Sequence, residues 1–126
     1  VKASLSEQLK SILKKYETHP DFLGLDLTDP NQKGAVDDTI LHLATRTGAI
    51  DDMKVLVDAG ANVNSVGDVG NTPLHQAAMI GQLESARLLL KRGATTQAEN
   101  EFGQTPLDVA KLTESEEMTR LLEAGR

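Results

Sequence analysis

The chain contains no cysteine and no tryptophan. It can therefore form no disulfide, no thiolate zinc site and no cysteine nucleophile. Two Phe and one Tyr among 126 residues give an aromatic content of 2%, so the interior has to be assembled from many small contacts among Leu, Val, Ile and Ala. No apolar run approaches the roughly 18 residues of a membrane span, and the start of the chain lacks a signal-peptide pattern. A surplus of cations is missing too. Thirteen Lys and Arg stand against 19 Asp and Glu, for a net charge of −6, which argues against a nucleic-acid backbone or an anionic membrane as the main ligand. That charge would steer a basic partner, though weakly at physiological salt. A phosphate loop is absent as well, because Gly67-Asp-Val-Gly70 reads as a hairpin tip and not as a strand-to-helix turn.

What the chain does have is a period. Thr39-Ile-Leu-His-Leu-Ala44, Thr72-Pro-Leu-His-Gln-Ala77 and Thr105-Pro-Leu-Asp-Val-Ala110 align without gaps, spaced 72 − 39 = 33 and 105 − 72 = 33. Gly48 keeps step with Gly81, Leu56 with Leu89, Gly60-Ala61 with Gly93-Ala94, and Gly70 with Gly103. Each Thr stands where a helix N-cap is wanted. Pro73 and Pro106 follow at the first helical position, where a missing N–H costs nothing; Ile40 departs from this. Ala44, Ala77 and Ala78 are small where neighbouring helices should press together. Met53-Lys-Val-Leu-Val57 and Ala86-Arg-Leu-Leu-Leu90 repeat apolar residues at helical spacing. Gly60 and Gly93 should end those helices with left-handed backbone, and Gly70 and Gly103 should lie in β-turns. The spacing predicts two buried rows: Leu41, Leu74 and Leu107, and Leu56, Leu89 and Leu122. One such unit cannot bury its apolar face alone, so the units must stack.

This pattern resembles the ankyrin family, over about Val36 to Gly125. The resemblance implies an all-α solenoid of helix–turn–helix units with β-turn hairpins, divided 36–68, 69–101 and 102–126, behind an N-terminal capping helix and turn-rich connection at 1–35. In that first stretch, Ser4-Leu-Ser-Glu7 fits a capping box, and Leu5, Leu9, Ile12, Leu13 and Tyr16 share one helical face. His19-Pro20 should break the helix. Phe22-Leu-Gly-Leu-Asp-Leu27 alternates as extended chain, and Asp29-Pro-Asn-Gln-Lys-Gly34 reads as an insertion leading to Asp37-Asp38, where the repeat would carry its Gly. At the other end, Glu114, Ser115, Glu116 and Glu117 read as a charged outer surface. Leu121-Leu-Glu-Ala-Gly125 arrives one residue early, which implies a deletion in the inter-helix turn.

No catalytic, cofactor or metal set emerges. His42 and His75 occupy equivalent positions whose role in the family is structural, Asp108 replaces them in the third unit, and no fitting third ligand exists. Asp37-Asp38 and Asp51-Asp52 sit beside turns, as solvated caps and helix-dipole partners do. Asn64 matches the Asn that stabilises the family's hairpin connection and that an asparaginyl hydroxylase modifies in some members. The resemblance implies a non-enzymatic module that binds another protein, an adaptor or inhibitor. It places the contact on the hairpin tips, at Asp38, Val66, Asp68, Val69, Asn71, Glu101, Phe102 and Gln104. On the concave first-helix surface the contact residues would be Leu43, Arg46, Thr47, Gln76, Met79, Ile80, Leu112 and Thr113. A cytoplasmic monomer that uses neither nucleic acid nor membrane is expected. The alternative is a targeting or structural segment of a larger multidomain enzyme, which Val1 in place of Met leaves open.

Overall fold

Three times the chain meets a threonine, runs through a short helix, leaves it on left-handed backbone and enters a second helix. In a computed structural model that describes residues 3–125, these units are α2 (Ile40–Thr47) with α3 (Ile50–Asp58), α4 (Pro73–Ile80) with α5 (Leu83–Lys91), and α6 (Pro106–Leu112) with α7 (Glu116–Ala124). An extra helix, α1 (Leu5–Tyr16), precedes them. No strand occurs among the described residues, and none of these helices is long and apolar enough to cross a membrane.

The caps follow from the sequence. Thr72 Oγ1 accepts the His75 N–H at 3.4 Å and Thr105 Oγ1 the Asp108 N–H at 3.2 Å. Thr39 holds the same N-cap place with its hydroxyl against His42 Nδ1 at 3.0 Å. Gly48 and Gly81 close α2 and α4 with φ of 70° and 85°. In the third unit the left-handed position falls on Glu114, at φ 58°, where a side chain is strained.

The first helices α2, α4 and α6 stack on one another, with α1, α3, α5 and α7 in a second row behind them. Both leucine rows are buried as the spacing requires, and Leu56, Leu89 and Leu122 have no exposure at all. Each such leucine contributes about 1.5–3 kcal/mol of apolar burial, but only when the neighbouring unit is present to cover it.

Three expectations need correction. Helix α7 begins at Glu116, and 116 − 83 = 83 − 50 = 33, so there is no deletion in the last inter-helix turn. Gly125 stands at the C-cap, the place of Ala59 and Arg92, with an ordinary φ of −83°. Residues 22–27 are not regularly extended either. Pro20–Phe22 forms a 3-10 turn, Gly24 turns at φ 82°, and Phe22 and Leu27 are buried while Leu25 is exposed. Finally, Asp29 to Gly34 is a hairpin arm in register and not an insertion. Asn31 Oδ1 accepts the Asn62 N–H at 2.7 Å as Asn64 Oδ1 accepts that of Thr95 at 2.9 Å. Acceptors and donors alike are 33 apart. The period therefore reaches back to Asp29, ahead of Val36. The inserted chain lies earlier: Tyr16 to Asn31 is 15 residues and Asp58 to Asn64 is 6, an excess of 9.

Helix α1 does cover the first unit. Ser4 Oγ accepts the Glu7 N–H at 3.1 Å, and Ile12 and Leu13 are buried. Asp52 on α3 receives Lys15 Nζ at 2.6 Å and the Tyr16 hydroxyl at 2.9 Å. Burial, and then the Asp52 carboxylate, push the Tyr16 hydroxyl well above its usual pKa.

Candidate protein-binding surface

Each hairpin is closed by the same backbone bond: Gly34 N–H to Asp38 O at 2.9 Å, Gly67 to Asn71 at 2.8 Å, and Asn100 to Gln104 at 2.9 Å. The turn needs left-handed backbone near its tip, supplied by Gly70 and Gly103 and, in the first hairpin, by Asp37 at φ 68°. The second tip goes further. Val69 also lies at φ 58°, which gives the two consecutive positive angles of a type I′ turn. A β-branched residue is strained there, and the Glu101 N–H holds its carbonyl at 3.0 Å.

Buried polar groups fasten the hairpins to the helices. His42 Nδ1 accepts the Thr39 N–H at 3.1 Å, so the neutral ring carries its proton on Nε2, which donates to Asn71 O at 2.9 Å. His75 repeats this from Thr72 N–H to Gln104 O, at 3.1 and 2.7 Å. Desolvation holds both imidazoles below their usual pKa. Asp38 Oδ1 accepts the Asp68 N–H at 2.9 Å and its Oδ2 accepts Arg46 Nη1 at 2.7 Å. Asn100 donates to Asn71 Oδ1 and Gln104 Oε1 and accepts from Phe102 N–H and Gln104 N–H. Every buried side-chain nitrogen or oxygen among the described residues has a partner.

That network decides which of the expected contact residues reach the surface. Asp38, Leu43, Asn71 and Gln76 are buried, because the adjoining helix or hairpin covers them. They support the surface from within and do not form it. Arg46, Val69 and Gln104 are half-buried, while Thr47, Asp68, Met79, Ile80, Glu101, Phe102, Leu112 and Thr113 are exposed. The register orders them into rows with one member per unit: Arg46–Met79–Leu112, Thr47–Ile80–Thr113 and Val36–Val69–Phe102. Val36 and Asp37 belong to these tips but are not among the contact residues that the resemblance implies. The 33-residue step from Gly34 to Gly67 was the signal that would have found them.

The model of ankyrin repeats matches in three copies, over residues 3–100 and 41–125. The chain belongs to the ankyrin-repeat family. No curated protein matches it. Ankyrin repeats are generally protein–protein interaction modules and not catalysts. The two ankyrin histidines fit that role: with both nitrogens engaged and no exposure, neither can reach a substrate. No group of three His, Cys, Asp or Glu able to hold a metal occurs among the described residues.

Proposed function

We propose that this ankyrin-repeat chain is a small adaptor or inhibitor that holds one protein partner across its hairpin tips and the exposed ends of α2, α4 and α6. One observation carries the reading. Among the described residues nine large hydrophobics are exposed, and six of them (Val36, Val66, Met79, Ile80, Phe102 and Leu112) lie on hairpins or first helices. Helices α3, α5 and α7 contribute none. Scattered exposed apolar residues need no explanation, but a one-sided set does.

The test is affinity capture from the native source, comparing the wild type with Met79→Glu/Leu112→Glu. These side chains are 43% and 69% exposed, so the fold should survive. Loss of two central anchors should weaken the partner at least tenfold. Equal capture of the same partner by a folded variant refutes the surface. We place the protein in the cytoplasm, since a chain without cysteine suits a reducing compartment, and we propose that it acts as a monomer. A second reading, a targeting segment of a larger enzyme, draws on the remaining exposed residues, Leu5, Leu23 and Leu25, which could lie against another domain. A reading frame continuing into a catalytic domain would decide for it.

A further inference from the structure

The proposed binding side is acidic as well as apolar, and its exposed hairpin acids are in no ion pair among the described residues. Asp37, Asp68, Glu99 and Glu101 are exposed on the hairpins, and none takes part in an ion pair among the described residues. The two cations on the same rows are occupied: Lys33 Nζ donates to Val66 O at 2.7 Å, and Arg46 is held by buried Asp38. Apart from Lys111 near the end of α6, the other described Lys and Arg lie on α1, α3, α5 and α7 or at their caps. The cations thus lie mostly behind, interspersed with carboxylates such as Asp51, Asp58, Glu84 and Glu117, while the hairpins in front present exposed carboxylates that no cation pairs among the described residues.

Spacing narrows the occupant further. Met79 and Leu112 hold equivalent positions on stacked helices, whose axes lie about 8–10 Å apart. Residues i and i+7 of an α-helix lie about 10.5 Å apart on one face. Arg46, the third member of that row, is half-buried and paired, so it offers a polar end to the apolar strip.

We infer that the occupant is an amphipathic helix of another protein, laid along the stack, with apolar residues two turns apart flanked by Lys or Arg. The apolar anchors meet Met79 and Leu112 beside Phe102, and the flanking cations meet Asp68 and Glu101. Carboxylates on the occupant would face unpaired carboxylates and be rejected. The inference rests on the binding surface proposed above and adds the chemistry of what fills it.

The probe is a designed helical peptide with two leucines seven residues apart between lysines. It is compared with a version in which Glu replaces every Lys, and with one in which Ser replaces both leucines. Binding is followed by fluorescence anisotropy and by amide shifts of the isotope-labelled chain. The Lys peptide should shift the ends of α4 and α6 and the second and third hairpins, and should bind at least tenfold more tightly than either comparison peptide. Asp68→Asn/Glu101→Gln should weaken it about fivefold, while the same change of charge on the outer helices, Asp51→Asn/Glu117→Gln, should alter it less than twofold. No binding of the Lys peptide at millimolar concentration overturns the inference, as does equal binding of the Ser version or equal loss from the outer pair. If the Glu peptide binds as tightly and shifts the same residues, the chemistry assigned to the occupant is wrong while the surface stands.

Discussion

Gly67 offers the sharpest test of how the hairpins are held. Its φ is −113°, outside the left-handed region, so backbone conformation gives no reason for glycine there. Space does. A Cβ on Gly67 would overlap Asp38 Oδ1 and lie 2.8 Å from His42 Nε2. Those two atoms carry the bonds to Asp68 N–H and Asn71 O that fix the second hairpin. Both groups are buried, and a lost bond at such a site costs about 1–3 kcal/mol. Displacing both costs about 2–6 kcal/mol, offset by about 0.4–1 kcal/mol from a stiffer unfolded chain. Gly67→Ala should therefore destabilise by about 1–5 kcal/mol in equilibrium urea unfolding followed by circular dichroism. The control is Gly81→Ala, where φ is 85° and nothing lies within 4 Å of the new Cβ, so only about 1–2 kcal/mol of backbone strain is expected. In an Asp38→Ala background most of the Gly67→Ala cost should vanish, with a coupling of at least about 1 kcal/mol. A cost at Gly67 below about 0.5 kcal/mol would refute the close-approach argument.

Two further outcomes follow from strain and from titration. Glu114→Gly should stabilise by about 1 kcal/mol, because it places glycine at φ 58° where Gly48 and Gly81 stand in the other units; calorimetry should show a rise in Tm of about 3–5 °C, and a fall would contradict the reading. Burial holds His42 and His75 below their usual 6.5 in the folded chain, so below that value the unfolded chain binds more protons. Stability should be fully present above about pH 7 and decline through about pH 6 and 5, by at most about 1.4 kcal/mol per pH unit for each ring. Urea midpoints that rise or stay level toward acid over that window would show that the rings are not held neutral.

Where residue type and backbone demand coincide, the repeat is legible in sequence: Thr at the caps, Gly48 and Gly81 at left-handed exits, leucine at the same phase in every unit. It became illegible where another residue filled the demanding position. Asp37 takes the angle that Gly70 and Gly103 take later, which a short polar side chain tolerates, so the first hairpin lost its marker and looked like a linker. Gly125 misled in the opposite sense, since a glycine one place early suggested a deletion although φ there is ordinary. Accessibility was the least legible property. Leu43 and Gln76 are covered by the next unit, and a repeat read one unit at a time does not show what its neighbour conceals.

The buried residues on that side still bear on binding. His42 and His75 each work at two ends: Nδ1 holds the threonine N–H of its own unit, and Nε2 reaches a carbonyl 29 residues ahead. Asp108 has only acceptors. It keeps the near end, accepting the Thr105 N–H at 3.0 Å, a bond that holds its carboxyl below the usual range, and it can donate to nothing ahead. The second hairpin is thus fixed by Asp38 and His42, and the third by His75 and the Asn71–Asn100–Gln104 network. These are the hairpins that carry Val66, Asp68, Glu101 and Phe102. Ordering loose side chains and loops on association costs about 0.5–1.5 kcal/mol for each group immobilised. A tip already fastened in the free chain does not incur that cost again. On the proposed surface Asp38 and Asn71 would therefore favour binding without touching the partner, by presenting the residues assigned to contact it.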